Sequence, residues 1–404
     1  MVNVDRQEFL KKLVTQSDSR ILLLVMDGIG DVPGENGKTP LQIAKTPNLD
    51  RLAKESELGQ TIPVLPGITP GSGPGHLSLF GYDPIRYQIG RGILEALGTG
   101  VDVGEKDLVA RANFATIEGD VVKDRRAGRP STEESAKVVE KLAKEIDEIR
   151  GVKISLYPGK EHRFVVKFTG DDLDERITDA DPQKNGLPMV WSEPIVKEAK
   201  ITAEIVNEFL KRVREILKDE PKMNFALLRG FSKHPQLPNF CDVYGMKAAA
   251  IATYPMYRGI AKLVGMEVLE CGPDVKDEVQ TLKERYKDFD FFYLHIKKTD
   301  SYGEDGNFEA KVKVIEEVDR LLPDILNLGF DVIAVTGDHS TPVPLKGHSW
   351  HPVPFMIKSR FARCGIENAF DEFSCARGVL GTFYAVDVMG LILAHAQRLE
   401  KYGA

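Results

Sequence analysis

Residues 330–339 read FDVIAVTGDH. Val332 to Val335 are apolar or small without alternation, and Asp338 and His339 come directly after Thr336-Gly337. A strand covered on both faces reads in this way. Residues 20–27, RILLLVMD, repeat the pattern and end on Asp27; residues 289–300, FDFFYLHIKKTD, end on Asp300; residues 225–230, FALLRG, end near Gly230. Amphipathic stretches lie between them. One begins near Asn48, and one begins at Ser131, where Glu134 completes a capping-box pattern, and runs to about Arg150. Another starts at Thr202, with Ile205, Val206, Phe209, Leu210 and Val213 on one face. Further helices are expected over roughly 257–264, 275–286, 308–328 and 386–401. Strands alternating with helices predict an α/β fold with a mainly parallel sheet flanked by helices. The texture changes in the middle, with the basic turn KDRRAGRP, the alternating RFVVKF and the turn-rich DADPQKNGLP. The expectation is a discontinuous core, 1–106 with 240–404, carrying an inserted smaller α/β domain at 107–239.

The chain has 404 residues, 42% hydrophobic and 28% charged, enough to bury a substantial core. Its net charge of −7 argues against non-specific binding to nucleic acid or to an anionic membrane. A small anionic substrate would therefore need a local basic pocket. Cys241, Cys271, Cys364 and Cys375 are scattered with no C-x-x-C, so structural zinc and a disulfide framework are not expected. The opening MVNVDRQEFLKKLV has no apolar run of leader length, and no stretch is long enough to span a membrane. The chain reads as cytoplasmic.

In an open α/β sheet, ligands bind beyond the carboxyl ends of the strands. If these strands are neighbours, Asp27, Asp300, Asp338 and His339 converge on one crevice. Carboxylates gathered there repel one another and are costly to desolvate, and a cation removes that penalty. His348 follows nine residues after His339. Aspartate with histidine suits Mn, Zn, Co or Mg, and a set this large suits two ions. Taken singly, a strand-end aspartate is as often a turn former or helix cap. His295, inside its apolar strand, reads as a satisfied core histidine, and His351 and His395 carry no claim.

A second feature is PGITPGSGPGH, residues 66–76. Its glycines let the backbone approach a ligand, and HLSLFG can open a helix whose N-terminus faces an anion near Ser72. A serine hydroxyl becomes a nucleophile when a metal lowers its pKa. The same composition also suits a flexible surface loop. The stretch lacks the lysine of a P-loop, and Pro70 takes the first glycine position of G-x-S-x-G. Gly28-Ile29-Gly30 begins like a dinucleotide fingerprint, but Pro33 stands where the third glycine belongs. Arg125, Arg126 and Arg129, around Gly128, can clamp a carboxylate and a phosphate, or can form a solvated turn. Arg229 is a second candidate.

VMDGIGD, TPLQIAKTPNLDRLAKES, PGSGPGHLSLFGYDP, TDSYGEDGNFEAKV, VTGDHSTP and GHSWHPVPF occur in this order along nearly the whole chain. Together they resemble the archaeal-type cofactor-independent phosphoglycerate mutases of the alkaline phosphatase superfamily. YQIGRGILEALGTG and KDRRAGRP narrow the likeness to the mutase group. The resemblance implies an alkaline-phosphatase-like core and interconversion of 2- and 3-phosphoglycerate without added bisphosphoglycerate. It implies two divalent ions, one held by Asp27, Ser72, Asp338 and His339, the other by Asp300 and His348. Ser72 would carry a phosphoserine intermediate. Arg125, Arg126 and Arg129, with Lys247, would hold the substrate, a small phosphorylated three-carbon acid, and His76 matches a family position beside the nucleophile. Glu304 stands where the family has histidine; glutamate can still ligate and tilts the second site toward Mg or Mn. A phosphomonoesterase or phosphotransferase of the same superfamily, or a non-catalytic metal- or anion-binding protein, stays open, as does a homo-oligomer.

Overall fold

The structure, a computed structural model, describes residues 6–364 and 367–403. Residues 1–5 of the stretch read for a leader lie outside the described residues. The chain forms two compact units, residues 1–88 with 237–404, and residues 89–236. In chain order, the first unit contains β1 (Ile21–Met26) and β2 (Ser56–Ile62). The second contains β3 (Asp107–Glu118), β4 (Val121–Asp124), β5 (Glu148–Ile149), β6 (Val152–Pro158), β7 (Arg163–Thr169) and β8 (Phe225–Lys233). The chain then returns to the first unit with β9 (Ala248–Ile251), β10 (Glu267–Leu269), β11 (Phe291–Ile296), β12 (Val332–Thr336), β13 (Val353–Ser359) and β14 (Gly381–Tyr384).

The first unit is an eight-stranded sheet in the order β10-β9-β11-β1-β12-β13-β2-β14. Neighbours from β10 to β12 are parallel, β13 is antiparallel to β12 and β2, and β14 is parallel to β2. Every residue of β1 and β11 is buried, which explains why their sequences do not alternate. The helices Val275–Arg285, Phe308–Leu326 and Pro47–Lys54 bury their apolar faces in one continuous core with these strands. Pairing register sets where the strands end. Met26 lies opposite Ile296, and Val25 lies opposite both His295 and Thr336. The carboxyl ends of β11, β1 and β12 are therefore level, and the segments that leave them start side by side. Among the described residues no helix is long and apolar enough to cross a membrane.

The second unit is an antiparallel sheet in the order β4-β3-β7-β6-β5, with β8 paired to β3. It has its own core, in which Phe114, Phe164 and Phe168 of the sheet meet Phe209 and Val213 of the helix Lys200–Ile216 and Leu142 of the helix Thr132–Glu145. FALLRG thus belongs to this antiparallel sheet and continues to Lys233, rather than ending at Gly230. The unit begins at residue 89, earlier than residue 107, because the helix Arg91–Gly98 packs on β3 and β8. Ser131 and Glu134 do form the capping box, but the helix stops at Glu145, where the chain turns into β5. The last helix, Val388–His395, is also shorter than its sequence suggests, and Leu399 instead bridges to Val14.

Candidate metal centre

Asp27 is the first residue after β1, and Asp338 and His339 follow β12. Asp300 is not at a strand end. It lies in the first turn of the helix Lys298–Glu304, which follows β11. Because β1 runs between β11 and β12, these side chains meet. His339 Nε2 lies 3.3 Å from Asp27 Oδ1, 3.3 Å from Asp338 Oδ2 and 4.0 Å from Asp300 Oδ1. His348 Nε2 lies 3.5 Å from Asp300 Oδ1. Two groups result, Asp27 with Asp338 and His339, and Asp300 with His339 and His348; within each, ligand atoms lie within 4.8 Å of one another.

Ser72 joins the first group, with Oγ 3.2 Å from His339 Nε2. It is the first residue of the helix Ser72–Leu79, so the helix opens four residues earlier than HLSLFG suggests. Gly71, its N-cap, offers no side-chain hydrogen bond, so the amides of Ser72 and Gly73 are left without a side-chain cap, while Pro74 has no N–H and the Gly75 amide donates to the Gly71 carbonyl oxygen. Gly75 lets this helix approach β12: a Cβ there would lie 2.4 Å from the carbonyl oxygen of Asp338. That close approach is what brings a hydroxyl from residue 72 to a histidine at 339.

The site is built for positive charge. Asp27, Asp300, Asp338 and His339 are almost fully buried. Both carboxylate oxygens of Asp27 and Oδ2 of Asp338 make no hydrogen bond, although cationic or imidazole nitrogens lie within ion-pair distance. Burial alone would raise the Asp27 pKa; Lys297, His295 and His339 reverse this and hold it well below the ordinary carboxylate value. Burial likewise opposes charge on His339, but Asp338, Asp27 and Asp300 outweigh it and hold its pKa up at about 9. Bare buried oxygens with imidazole nitrogens among them fit divalent cations of the Mn, Mg, Co or Zn type. Thr341 Oγ1 donates to Asp300 Oδ1 at 2.6 Å and lies 2.9 Å from His339 Nδ1. Accepting the Nδ1 proton there leaves Nε2 of a neutral His339 free toward the cluster.

Three residues at this site, Lys297, Tyr257 and Thr341, escape the sequence reading. Lys297 Nζ lies 3.1 Å from Asp27 Oδ2 and also bonds Asp300 Oδ2, so it spans the two groups. Tyr257 is buried, with its hydroxyl 3.4 Å from Ser72 Oγ and its ring stacked on His295 at 3.8 Å. His295 is a core residue, as expected, but not a satisfied one. Neither ring nitrogen forms a hydrogen bond, and Nε2 faces Asp27 Oδ2 at 3.3 Å. Lys297 and His295 both stand in FDFFYLHIKKTD, but periodicity does not tell which polar residue of a buried run turns inward.

The remaining candidates divide. Glu304 lies outside both tight groups; its Oε1 is 3.8 Å from His348 Nε2 and its side chain is 55% exposed. His76 is fully buried behind Ser72, with Nδ1 2.8 Å from the Ser72 carbonyl oxygen and 3.1 Å from Asp338 Oδ2. It has no surface for a substrate; its Nδ1 bonds the Ser72 carbonyl oxygen from behind and lies beside Asp338. Lys247 is exposed at the start of β9, with Nζ over the Phe289 ring. That is the amino end of the parallel strands, opposite the metal groups, so it does not join the site. In the second unit, Arg125 forms a two-pronged pair with the buried Asp181, and Arg229 lies 3.9 Å from the same carboxylate. Burial and the neighbouring Arg91 push the Arg229 pKa down. Arg126 and Arg129 are exposed in a turn where Ala127, Gly128 and Arg129 all have positive φ. Asp124 holds that turn by accepting from the amides of Arg126 and Gly128.

The chain is similar to known proteins along nearly its whole length. A family profile for 2,3-bisphosphoglycerate-independent phosphoglycerate mutase matches residues 53–223. A Thermotoga maritima protein described as a probable 2,3-bisphosphoglycerate-independent phosphoglycerate mutase is 70% identical over 400 residues, covering 99% of this chain and 100% of its own. Among solved structures, the PH0037 protein of Pyrococcus horikoshii is similar with a TM-score of 0.82 at 32% identity, covering 96% of this chain and 99% of its own. The cofactor-independent phosphoglycerate mutase of Thermoplasma acidophilum is similar with a TM-score of 0.71 at 32% identity, over 94% of this chain and 100% of its own.

Proposed function

The chain belongs to the 2,3-bisphosphoglycerate-independent phosphoglycerate mutases, and from that premise we propose that it interconverts 2- and 3-phosphoglycerate through a phosphoserine at Ser72. The observation that carries the reading is the Ser72 hydroxyl, 3.2 Å from His339 Nε2 at the first turn of a helix and beside Asp27 and Asp338. Asp27, Ser72, Asp338 and His339 would hold one divalent ion, and Asp300 and His348 the other, with Glu304 within reach of His348. Such ions, when bound, lower the pKa of the serine hydroxyl and neutralise charge on a phosphoryl group.

The chain's own residues do the rest. Ser72 Oγ attacks phosphorus in line, and the bond from phosphorus to the glycerate oxygen breaks. The uncapped amides of Ser72 and Gly73, at the start of the Ser72–Leu79 helix, would donate to the transferring group. His76 holds the Ser72 carbonyl from behind, and Thr341 fixes His339 and Asp300 together. Glycerate then presents its other hydroxyl, which takes the phosphoryl group back from Ser72. Arg125 and Arg229, with Arg126 and Arg129, would hold the carboxylate and phosphate of the substrate; guanidinium forks suit both groups.

The test is an enolase-coupled assay without bisphosphoglycerate, run over Mn, Mg, Co and Zn after chelation. The mutase reading expects 2-phosphoglycerate to form from 3-phosphoglycerate with little free phosphate. Release of phosphate with no 2-phosphoglycerate would identify a phosphomonoesterase instead. Ser72→Ala is expected to lower turnover by at least about 10³-fold while leaving the fold intact.

A further inference from the structure

Lys311 lies on the helix Phe308–Leu326, and its side chain is fully buried. A lysine ammonium has three N–H donors. Here each finds one acceptor: the Gly28 carbonyl oxygen at 2.9 Å, the Asp31 carboxylate at 2.8 Å and the Thr341 carbonyl oxygen at 2.9 Å. Gly28 is the residue after Asp27, and Thr341 lies two residues after His339. One side chain therefore ties together the two loops that carry the ligands of the first group. The tie is tight at both ends. Gly28 has φ of +60°, and a Cβ there would lie 2.4 Å from Thr341 Oγ1. The Asp31 carboxylate also accepts from the Val343 amide, at 3.1 and 3.2 Å, and so anchors the same β12 loop a second time.

The contact reaches both metal groups through Thr341. Lys311 holds its carbonyl, while its hydroxyl bonds Asp300 and faces Nδ1 of His339. Stability alone is a poor reason for such an arrangement. A buried ion pair gains little over apolar side chains of similar volume, because both charges lose their water. What an apolar residue cannot do is fix two backbone carbonyls from separate loops at one point. We infer that Lys311, with Asp31, is a positioning pair that sets the spacing of Asp27 from His339 and thereby the affinity for divalent cations. This rests on the reading of the Asp27, Asp338 and His339 cluster as a metal site.

The experiment is an equilibrium Mn titration of the chelated full-length protein, followed by electron paramagnetic resonance of free Mn. Wild type, Lys311→Met and Asp31→Asn are compared, and circular dichroism and thermal melts establish that each is folded. The expected result is Mn binding weakened at least about tenfold in Lys311→Met, the scale seen when partners behind metal ligands are removed. Turnover then recovers toward wild type as Mn is raised. Asp31→Asn keeps the shape of the site and both carbonyl bonds of Lys311, so it serves if Lys311→Met does not fold; its expected weakening is at least about threefold. A folded variant with a lower melting temperature but unchanged Mn affinity would overturn the inference and leave Lys311 a structural residue. Failure of the wild type to bind Mn would instead count against the metal site itself.

Discussion

His339 is the most heavily shared side chain of the site. Its imidazole, normally near 6.5, is held up at about 9, where burial is outweighed by Asp338, Asp27 and Asp300. In the metal-free protein it is therefore charged at neutral pH. Its pKa is higher folded than unfolded, so the stability it contributes is full below about 6.5 and is lost as pH rises through about 9. A metal must displace that proton. Affinity is accordingly expected to climb about tenfold per pH unit below the folded pKa and to level off above it. Calorimetric Mn titrations at a series of pH values check this, and a flat profile would contradict it. Gly75 is the second residue with a sharp consequence. Its absent Cβ would lie 2.4 Å from the Asp338 carbonyl oxygen, so Gly75→Ala must push the Ser72 helix away from β12. The expected outcome is a loss of kcat of at least about 10²-fold, the scale of a misplacement near 1 Å. A melting temperature that falls by only a few degrees would separate this from unfolding.

At the scale of elements, β11, β1 and β12 do the positioning, and their character was legible. Continuous apolar runs ending in Asp27, Asp338 and His339 announce buried parallel strands with polar groups at their carboxyl ends. The order of those strands is not written in any one of them, since it depends on side-by-side register. Asp300 shows the limit, because its place on a helix turn was hidden by an apolar run that continues into KKTD. Tyr257 was illegible because it reaches the site from a segment distant in sequence, and Lys297 and Thr341 because nothing in the stretches that carry Asp300 and His339 tells which of their neighbours turn inward. Lys247 misled because a basic residue beside an apolar strand carries no sign of which strand end it occupies. In the second unit, the Asp181 carboxylate aims Arg125 by a two-pronged pair. If that guanidinium grips substrate, Asp181→Asn leaves it less fixed, and KM for phosphoglycerate is expected to rise about tenfold with kcat little changed. An unchanged KM in steady-state assays would take Arg125 out of the binding set.

At the scale of the whole molecule, the two units have separate cores, one around Leu24, Leu294 and Val335 and one around Phe114, Phe164 and Phe209. The metal groups draw only on the first unit. Chelation is therefore expected to speed amide exchange at the carboxyl ends of β1, β11 and β12 while leaving β3, β7 and β8 as they were. For each ion, saturation at 100 times Kd should add about 2.7 kcal/mol to the stability of the first unit. Equal effects on both sheets, read by hydrogen exchange with mass spectrometry, would argue against a centre confined to one of them. The whole account turns on one hydroxyl receiving a phosphoryl group. The direct measurement is to mix the Mn-loaded protein with ³²P-labelled 3-phosphoglycerate, quench in acid within a turnover, and map the label by peptide mass spectrometry. The account predicts label on the peptide containing Ser72 and none in Ser72→Ala; catalysis with no label at Ser72, or with label on another residue, would contradict it.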